Sequence, residues 1–262
     1  MKPLLVTFSG MDGAGKSTQI ESLRGFLEAR GLRPRLLALW DDVVVLARYR
    51  EGFVHKVLKS ERGIGAPGKP VNRRDKNVRG WHLNLARHGL YFLDALNLRR
   101  ILSRAGSRSM HASAHTDASP LEPYALRLAP DVIIMDRYIH DELANLPLSN
   151  PLTRAFIHAV AAIAPKPDVA FVLDADPEAA RARKPEYPLE FLRNCRASYQ
   201  RLATMLGITV IPPSSIPEAT DSVEQAFVAA WKKKHGVELR RSLITKHAQQ
   251  EKISDPEMPL AG

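Results

Sequence analysis

The chain predicts an α/β fold of three layers, in which a five-stranded parallel sheet is flanked by helices. Three observations carry that expectation. Five short apolar runs, Leu4–Phe8, Arg35–Leu39, Val132–Met135, Val169–Leu173 and Ile208–Ile211, alternate with helical patterns, as in a parallel sheet covered on both sides. The segment Gly10-Met11-Asp12-Gly13-Ala14-Gly15-Lys16-Ser17 lies between the first run and the first helical pattern. About ninety residues separate the second and third runs, far more than a simple crossover needs, which predicts a long helical and looped insertion there.

The first run is uninterrupted enough to be a buried strand, and Ser17 to Arg30 reads as a helix. In the insertion, Trp81 to Leu102 reads as a long helix, with Arg99 and Arg100 complementing its C-terminal dipole. Gly63–Lys69 and Ala105–Pro123 are rich in Gly, Ser and Pro and read as loops, with mobility expected of them. After the fourth run, Asp176-Pro177-Glu178 carries helix-start chemistry: an Asp cap, Pro at the first position and an acid in the first turn. Pro188 opens a further helix whose apolar residues Leu192, Cys195, Tyr199, Leu202 and Leu206 keep 3-4-3-4 spacing. From Trp231 onward the pattern decays through Lys232-Lys233-Lys234 into a polar tail, expected to be weakly ordered or used in association.

A length of 262 residues suits one sizeable α/β domain with extensions. The single cysteine, Cys195, excludes a disulfide framework and suits a reducing compartment. Its place in an apolar helical series argues for packing, not catalysis. The N-terminus is too short in apolar residues for a signal peptide, and no stretch is long enough to span a bilayer. A cytoplasmic protein without a membrane partner is expected. The net charge of +10 is uneven: residues 48 to 110 hold 15 Lys and Arg against 4 Asp and Glu. Such a field draws phosphorylated ligands or nucleic acid, or else marks a solvated basic loop and helix face. No metal-ligand spacing and no internal repeat stand out.

The Gly10–Ser17 segment fits the pattern Gly, four residues, Gly-Lys-Ser, with Thr18 following. In this pattern successive backbone N–H groups of Gly10, Met11, Asp12, Gly13, Ala14 and Gly15 wrap a nucleotide's phosphates at a helix N-terminus. Lys16 would bridge the β- and γ-phosphates, and the Ser17 hydroxyl would ligate Mg²⁺. Without nucleotide, Lys16 is expected to face solvent. Asp12 repels phosphate, so it should turn toward a donor, such as a sugar hydroxyl on a second substrate, or face solvent at the loop's rim. Val132-Ile133-Ile134-Met135-Asp136 ends in an acid at the C-terminal edge of a strand, where open parallel sheets hold ligands and where an acid can hold Mg²⁺ or its water. Arg137 next to it can grip a phosphate bidentately, or form a structural pair with Asp136 or Asp141. Arg181, Arg183 and Lys184 follow the fourth strand on a short helix. At least one of the two arginines, which lie on different faces, could close over a transferring phosphoryl group.

At this point the residues resemble a known family. Phe8 to Gln19, including Asp12 before Gly-Ala-Gly-Lys, is similar to the phosphate loop of thymidylate kinases. Asp136-Arg137-Tyr138 resembles the same family's Asp-Arg-Tyr element, and Asp174-Ala175-Asp176-Pro177-Glu178 with the arginines after it resembles the run into its lid. The resemblance covers residues 2–30 and 130–230. It implies a P-loop nucleoside monophosphate kinase fold, with Asp12 meeting the acceptor's sugar, Arg137 its phosphate, and a lid arginine the transfer. It also suggests a homodimer. Leu90-Tyr91-Phe92-Leu93-Asp94-Ala95 is similar to the family's base-binding helix, and Phe92 could stack on a base. Four places differ from the family's usual pattern: Ser9 for Glu, Trp40-Asp41-Asp42 for Arg-Glu-Pro, Ala95 for an arginine, and His140-Asp141 where Ser is usual. They fall on acceptor recognition, not on ATP.

The expected organisation is a kinase domain over residues 1–230, with an acceptor region near 40–128 and a lid near 177–190, followed by a basic tail, 231–262. The expected function is transfer of the γ-phosphoryl of ATP to a nucleoside monophosphate, with thymidylate as leading acceptor. The same fold acting on another nucleotide or phosphorylated metabolite is one rival. An ATP-dependent nucleic-acid-binding or regulatory protein is the other, although nucleic acid is not the expected partner.

Overall fold

β1 (Leu4–Ser9) runs through the middle of a parallel sheet whose strand order is β2-β3-β1-β4-β5. A computed structural model of the chain describes residues 2–46, 50, 81–105, 129–185 and 187–239. The other strands are β2 (Pro34–Ala38), β3 (Val132–Asp136), β4 (Val169–Leu173) and β5 (Thr209–Ile211). All pairings are parallel, and β1 meets β3 in a register that sets Phe8 level with Asp136. The helices among the described residues are α1 (Lys16–Glu28), α2 (Trp81–Ala105), α3 (Ile139–Leu143), α4 (Pro151–Ile163), α5 (Pro177–Arg183), α6 (Leu189–Leu206) and α7 (Ile216–His235).

Side-chain alternation along the strands builds two cores. Leu4, Val6, Phe8, Ile134 and Phe171 face α1 and α7, where Ile20, Leu23, Leu27, Val223 and Phe227 close the layer. Leu5, Ile133, Met135 and Val172 face the opposite side and pack with Leu98 of α2, Ile139 of α3, Ile157 of α4 and Leu202 of α6. Near-continuous apolar runs are what burial on both faces demands.

The boundaries depart from the sequence reading for local reasons. Leu39 leaves β2 because the Asp42 carboxylate accepts the Ala38 N–H at 2.7 Å, and a single wide turn, Leu39–Val43, begins there. Ile208 closes α6 instead of opening β5, its N–H reaching the Ala203 carbonyl at 3.0 Å. α2 runs on to Ala105, three residues beyond the expected end, with Arg104 in its last turn. The pattern does not stop at Trp231 either. That ring is buried against Phe227, and the helix carries Lys232, Lys233 and Lys234 in its last turn, the end where cations meet the dipole favourably. The loops expected at Gly63–Lys69 and 106–123, most of the basic 48–110 segment and residues 240–262 lie outside the described residues. Cys195 is half-buried and packs against the second core, as its spacing required.

Candidate active site

The loop between β1 and α1 is shaped by close backbone contacts. Gly10 has φ +139°, and a Cβ there would lie 2.5 Å from the Leu173 carbonyl oxygen of β4. Gly13 has φ +82°, and its Cβ would lie 2.7 Å from the Ala180 carbonyl oxygen of α5. Only glycine fits either position, and both contacts press the loop onto the sheet edge and α5. α1 begins after Gly15 with no side chain capping it, so its first-turn amides are left for an anion.

Lys16 is buried, against the expectation that it faces solvent. Its Nζ turns back into the loop and donates to the Gly10 and Met11 carbonyls, each at 2.9 Å. Burial, with Arg137 nearby, lowers the ammonium's pKa to about 8, although Asp141, Asp12 and Asp136 pull the other way.

Arg137 holds a left-handed backbone, φ +63°, and its N–H donates to the Phe8 carbonyl at 2.9 Å. This conformation, unusual for a side chain of that size, ties the residue to the strand that carries the loop. Its Nη2 donates to Asp12 Oδ1, and its Nη1 lies 3.5 Å from Asp141 Oδ1. Burial works against the charge, yet Asp141 and Asp12 outweigh it and hold the guanidinium above its ordinary range. Asp12 therefore does turn toward a donor, and the donor is Arg137. Of the two structural pairings considered for Arg137, the one with Asp141 forms and the one with Asp136 does not.

Asp141, which the sequence marked only as a possible partner of Arg137 and as part of a departure from the family's usual pattern, ties several parts of the site together. Its Oδ1 accepts the Tyr199 hydroxyl at 2.8 Å and the Gly10 amide at 3.4 Å, and its Oδ2 accepts the Tyr138 amide at 3.0 Å. The available signal was its place four residues after Arg137, at the N-terminal turn of a short helix.

Asp136 ends β3 half-buried beside the loop and joins no ion pair among the described residues. Ser17 is exposed in the first turn of α1. A hydroxyl and a free carboxylate flanking a phosphate loop are hard oxygen donors of the kind Mg²⁺ takes, with phosphate and water filling the remaining positions. The residues present thus fit the ion. No cluster of three His, Cys, Asp or Glu suited to a metal occurs among the described residues, so protein ligands alone would not make a cage.

Of the two arginines on α5, Arg183 reaches the loop, its Nε and Nη2 donating to the Gly13 carbonyl at 3.0 and 2.8 Å. Arg181 is half-buried on the same helix and makes no hydrogen bond or ion pair among the described residues. The α5 helix itself is fixed by its Asp176 cap, which accepts the Ala179 N–H at 2.9 Å. Phe92 lies on α2 with 40% of its surface exposed. No hydrogen bond or ring contact joins it to the loop or to Arg137 among the described residues.

A second ionic cluster links α2 to α3. Arg50 bridges Asp94 at 2.7 Å and Glu142 at 3.2 Å, and Asp94 also accepts the Val45 amide at 2.7 Å. Ala95 stands where an arginine was expected, and Arg50 supplies a guanidinium to the neighbouring acid. Burial, and then the adjacent Asp94, raise the Glu142 carboxyl well above the usual carboxylate range despite Arg50.

No protein-family model matches the chain. A probable thymidylate kinase from Pyrobaculum aerophilum is 33% identical over 129 residues, which is 44% of this chain and 66% of that protein. The thymidylate kinase of Bifidobacterium longum is 29% identical over 238 residues, covering 87% of this chain and 96% of the relative. The chain is similar to thymidylate kinases over 87% of its length. The fold agrees: the thymidylate kinase structure from Ehrlichia chaffeensis superposes with a TM-score of 0.51 at 16% identity, covering 87% of this chain and 99% of that one. The corresponding values for the Candida albicans thymidylate kinase are 0.50, 15%, 86% and 90%. No helix among the described residues is long and apolar enough to cross a membrane.

Proposed function

We propose that this chain is an ATP-dependent nucleotide kinase that transfers the γ-phosphoryl of ATP to thymidylate, giving the diphosphate. One observation carries the reading: the uncapped N-terminus of α1 with Lys16 lies beside the Arg137 guanidinium held by Asp12, so two candidate anion sites adjoin. A reaction between two polyanions needs both. The names of the relatives supply thymidylate as the acceptor.

ATP entering the loop gives Lys16 a better acceptor than the Gly10 and Met11 carbonyls, and the ammonium turns to the β- and γ-phosphates. The acceptor then breaks the Asp12–Arg137 pair. Its phosphate takes the guanidinium, and a sugar hydroxyl donates to the Asp12 carboxylate so released. An acceptor phosphate oxygen bonds to the γ-phosphorus as the bond from phosphorus to the β,γ-bridging oxygen breaks, and ADP leaves with that electron pair. The attacking oxygen is already ionised, so no general base is required. Arg183, displaced from the Gly13 carbonyl, or Arg181 neutralises charge on the transferring group. Ser17 and Asp136 would hold Mg²⁺, which would supply neutralisation of phosphate charge. Phe92 is the proposed stacking surface for the base. Residues 1–230 act as the kinase domain, 40–128 as its acceptor region and 177–190 as its lid, with 231–262 as a basic tail. A homodimer in the cytoplasm is the working assembly.

Purified protein offered ATP, Mg²⁺ and a panel of nucleoside monophosphates tests this directly. Thymidylate should give the diphosphate. Turnover of another acceptor alone would overturn the thymidylate assignment, and turnover of none would overturn the kinase.

A further inference from the structure

Arg137 is gripped unequally from its two sides. Asp12 touches Nη2 from the half-buried loop, whereas Asp141 lies 5% exposed beneath the guanidinium. Asp141 is fixed by donors from three parts of the chain: the Gly10 amide of the loop, the Tyr138 amide at the start of α3, and the Tyr199 hydroxyl of α6. An arriving phosphate can replace Asp12 at Nη2 by taking over that charge-assisted hydrogen bond. Replacing Asp141 would strand a desolvated carboxylate among its donors, which costs far more.

We propose that Asp141 is a positioning residue for Arg137: with Tyr199 it forms a buried latch about which the guanidinium pivots, leaving the Nη2 edge to exchange Asp12 for the acceptor's phosphate. The proposal rests on the reading of Arg137 as an acceptor-phosphate ligand. The same carboxylate holds the Gly10 amide, so the latch keeps the acceptor's guanidinium in register with the donor's loop. The resembling family usually carries Ser where this chain has His140-Asp141, and a neutral hydroxyl is a weaker acceptor for a guanidinium than a carboxylate.

The test compares full-length wild type, Asp141→Asn, Tyr199→Phe, Arg137→Ala and the Asp141→Asn/Arg137→Ala double variant. Readouts are kcat and KM for thymidylate and the calorimetric Kd for ATP with Mg²⁺. Asp141→Asn should raise the thymidylate KM about tenfold while the ATP Kd moves no more than about threefold. That rise should vanish in the Arg137→Ala background, because a residue acting through another has no effect once the other is gone. Tyr199→Phe should raise KM about threefold through the same route. Equal losses in both backgrounds, or a loss confined to ATP, would make Asp141 merely structural and overturn the latch. Should Asp141→Asn not fold, the cycle of Tyr199→Phe with Arg137→Ala decides the matter by the same criterion. Wild type inactive on every monophosphate would bring down the kinase reading itself. An active enzyme whose KM ignores Arg137→Ala would leave the kinase standing and remove the latch.

Discussion

Lys16 sits where two opposing demands meet. In its proposed role as a phosphate ligand it must be charged, yet it is buried among loop carbonyls, with a pKa near 8. ATP binding should therefore draw a proton onto the site once the pH passes about 8. Calorimetry in buffers of different ionisation enthalpy should find proton uptake near zero at pH 6.5, rising toward one per ATP above pH 8. ATP affinity should then fall by up to about tenfold per pH unit between pH 8 and 10.5. The sign for stability runs the other way. The folded-state pKa lies below the unfolded one, so burying the charged ammonium costs stability below pH 8, and that cost is relieved as pH rises toward 10.5. Gly10→Ala adds a Cβ at 2.5 Å from a main-chain oxygen and strains a positive φ, so neither neighbour can yield cheaply. The variant should lose about 2 kcal/mol or more of stability, read by denaturant unfolding, together with ATP binding.

At the scale of elements, α7 and the Arg50 cluster make different contributions. Phe227 is fully buried under the sheet between Phe26 and Trp231. Phe227→Ala should cost about 3–5 kcal/mol, measured by chemical denaturation, without altering the arrangement at Arg137. In the cluster, two carboxylates share one guanidinium, and the raised Glu142 pKa means that its ionised form opposes folding. Glu142→Gln removes that charge while keeping an acceptor for Arg50. It should raise the melting temperature at pH 7, and the gain should shrink as pH falls through the ordinary carboxylate range, where wild-type Glu142 is protonated whether folded or not. These elements were legible to different degrees. Apolar periodicity located the strands and α6 because buried faces repeat every two or 3.6 residues. The end of α7 was not legible, since three lysines in its last turn look like a tail until the dipole and the buried Trp231 are seen together.

For the whole molecule, the loop touches β4 through Gly10 and α5 through Gly13, while Arg137 ties β3 to β1. A nucleotide held by that loop should stabilise the sheet as a unit. ATP with Mg²⁺ at 100 times its Kd should add about 2.7 kcal/mol, and thus raise the melting temperature by roughly 5–10 °C in a thermal scan.

The parallel sheet, the Gly-rich loop and the placing of Asp136 and Arg137 at a strand end were determined by local sequence, because a run of apolar residues or a Gly-rich turn carries its meaning within a few positions. Which groups face one another was decided only by the tertiary structure. Asp12 and Arg137 are 125 residues apart, and Tyr199 lies 58 beyond Asp141. No periodicity spans such distances. Their contact arises from the crossing that sets β3 and β4 on either side of β1.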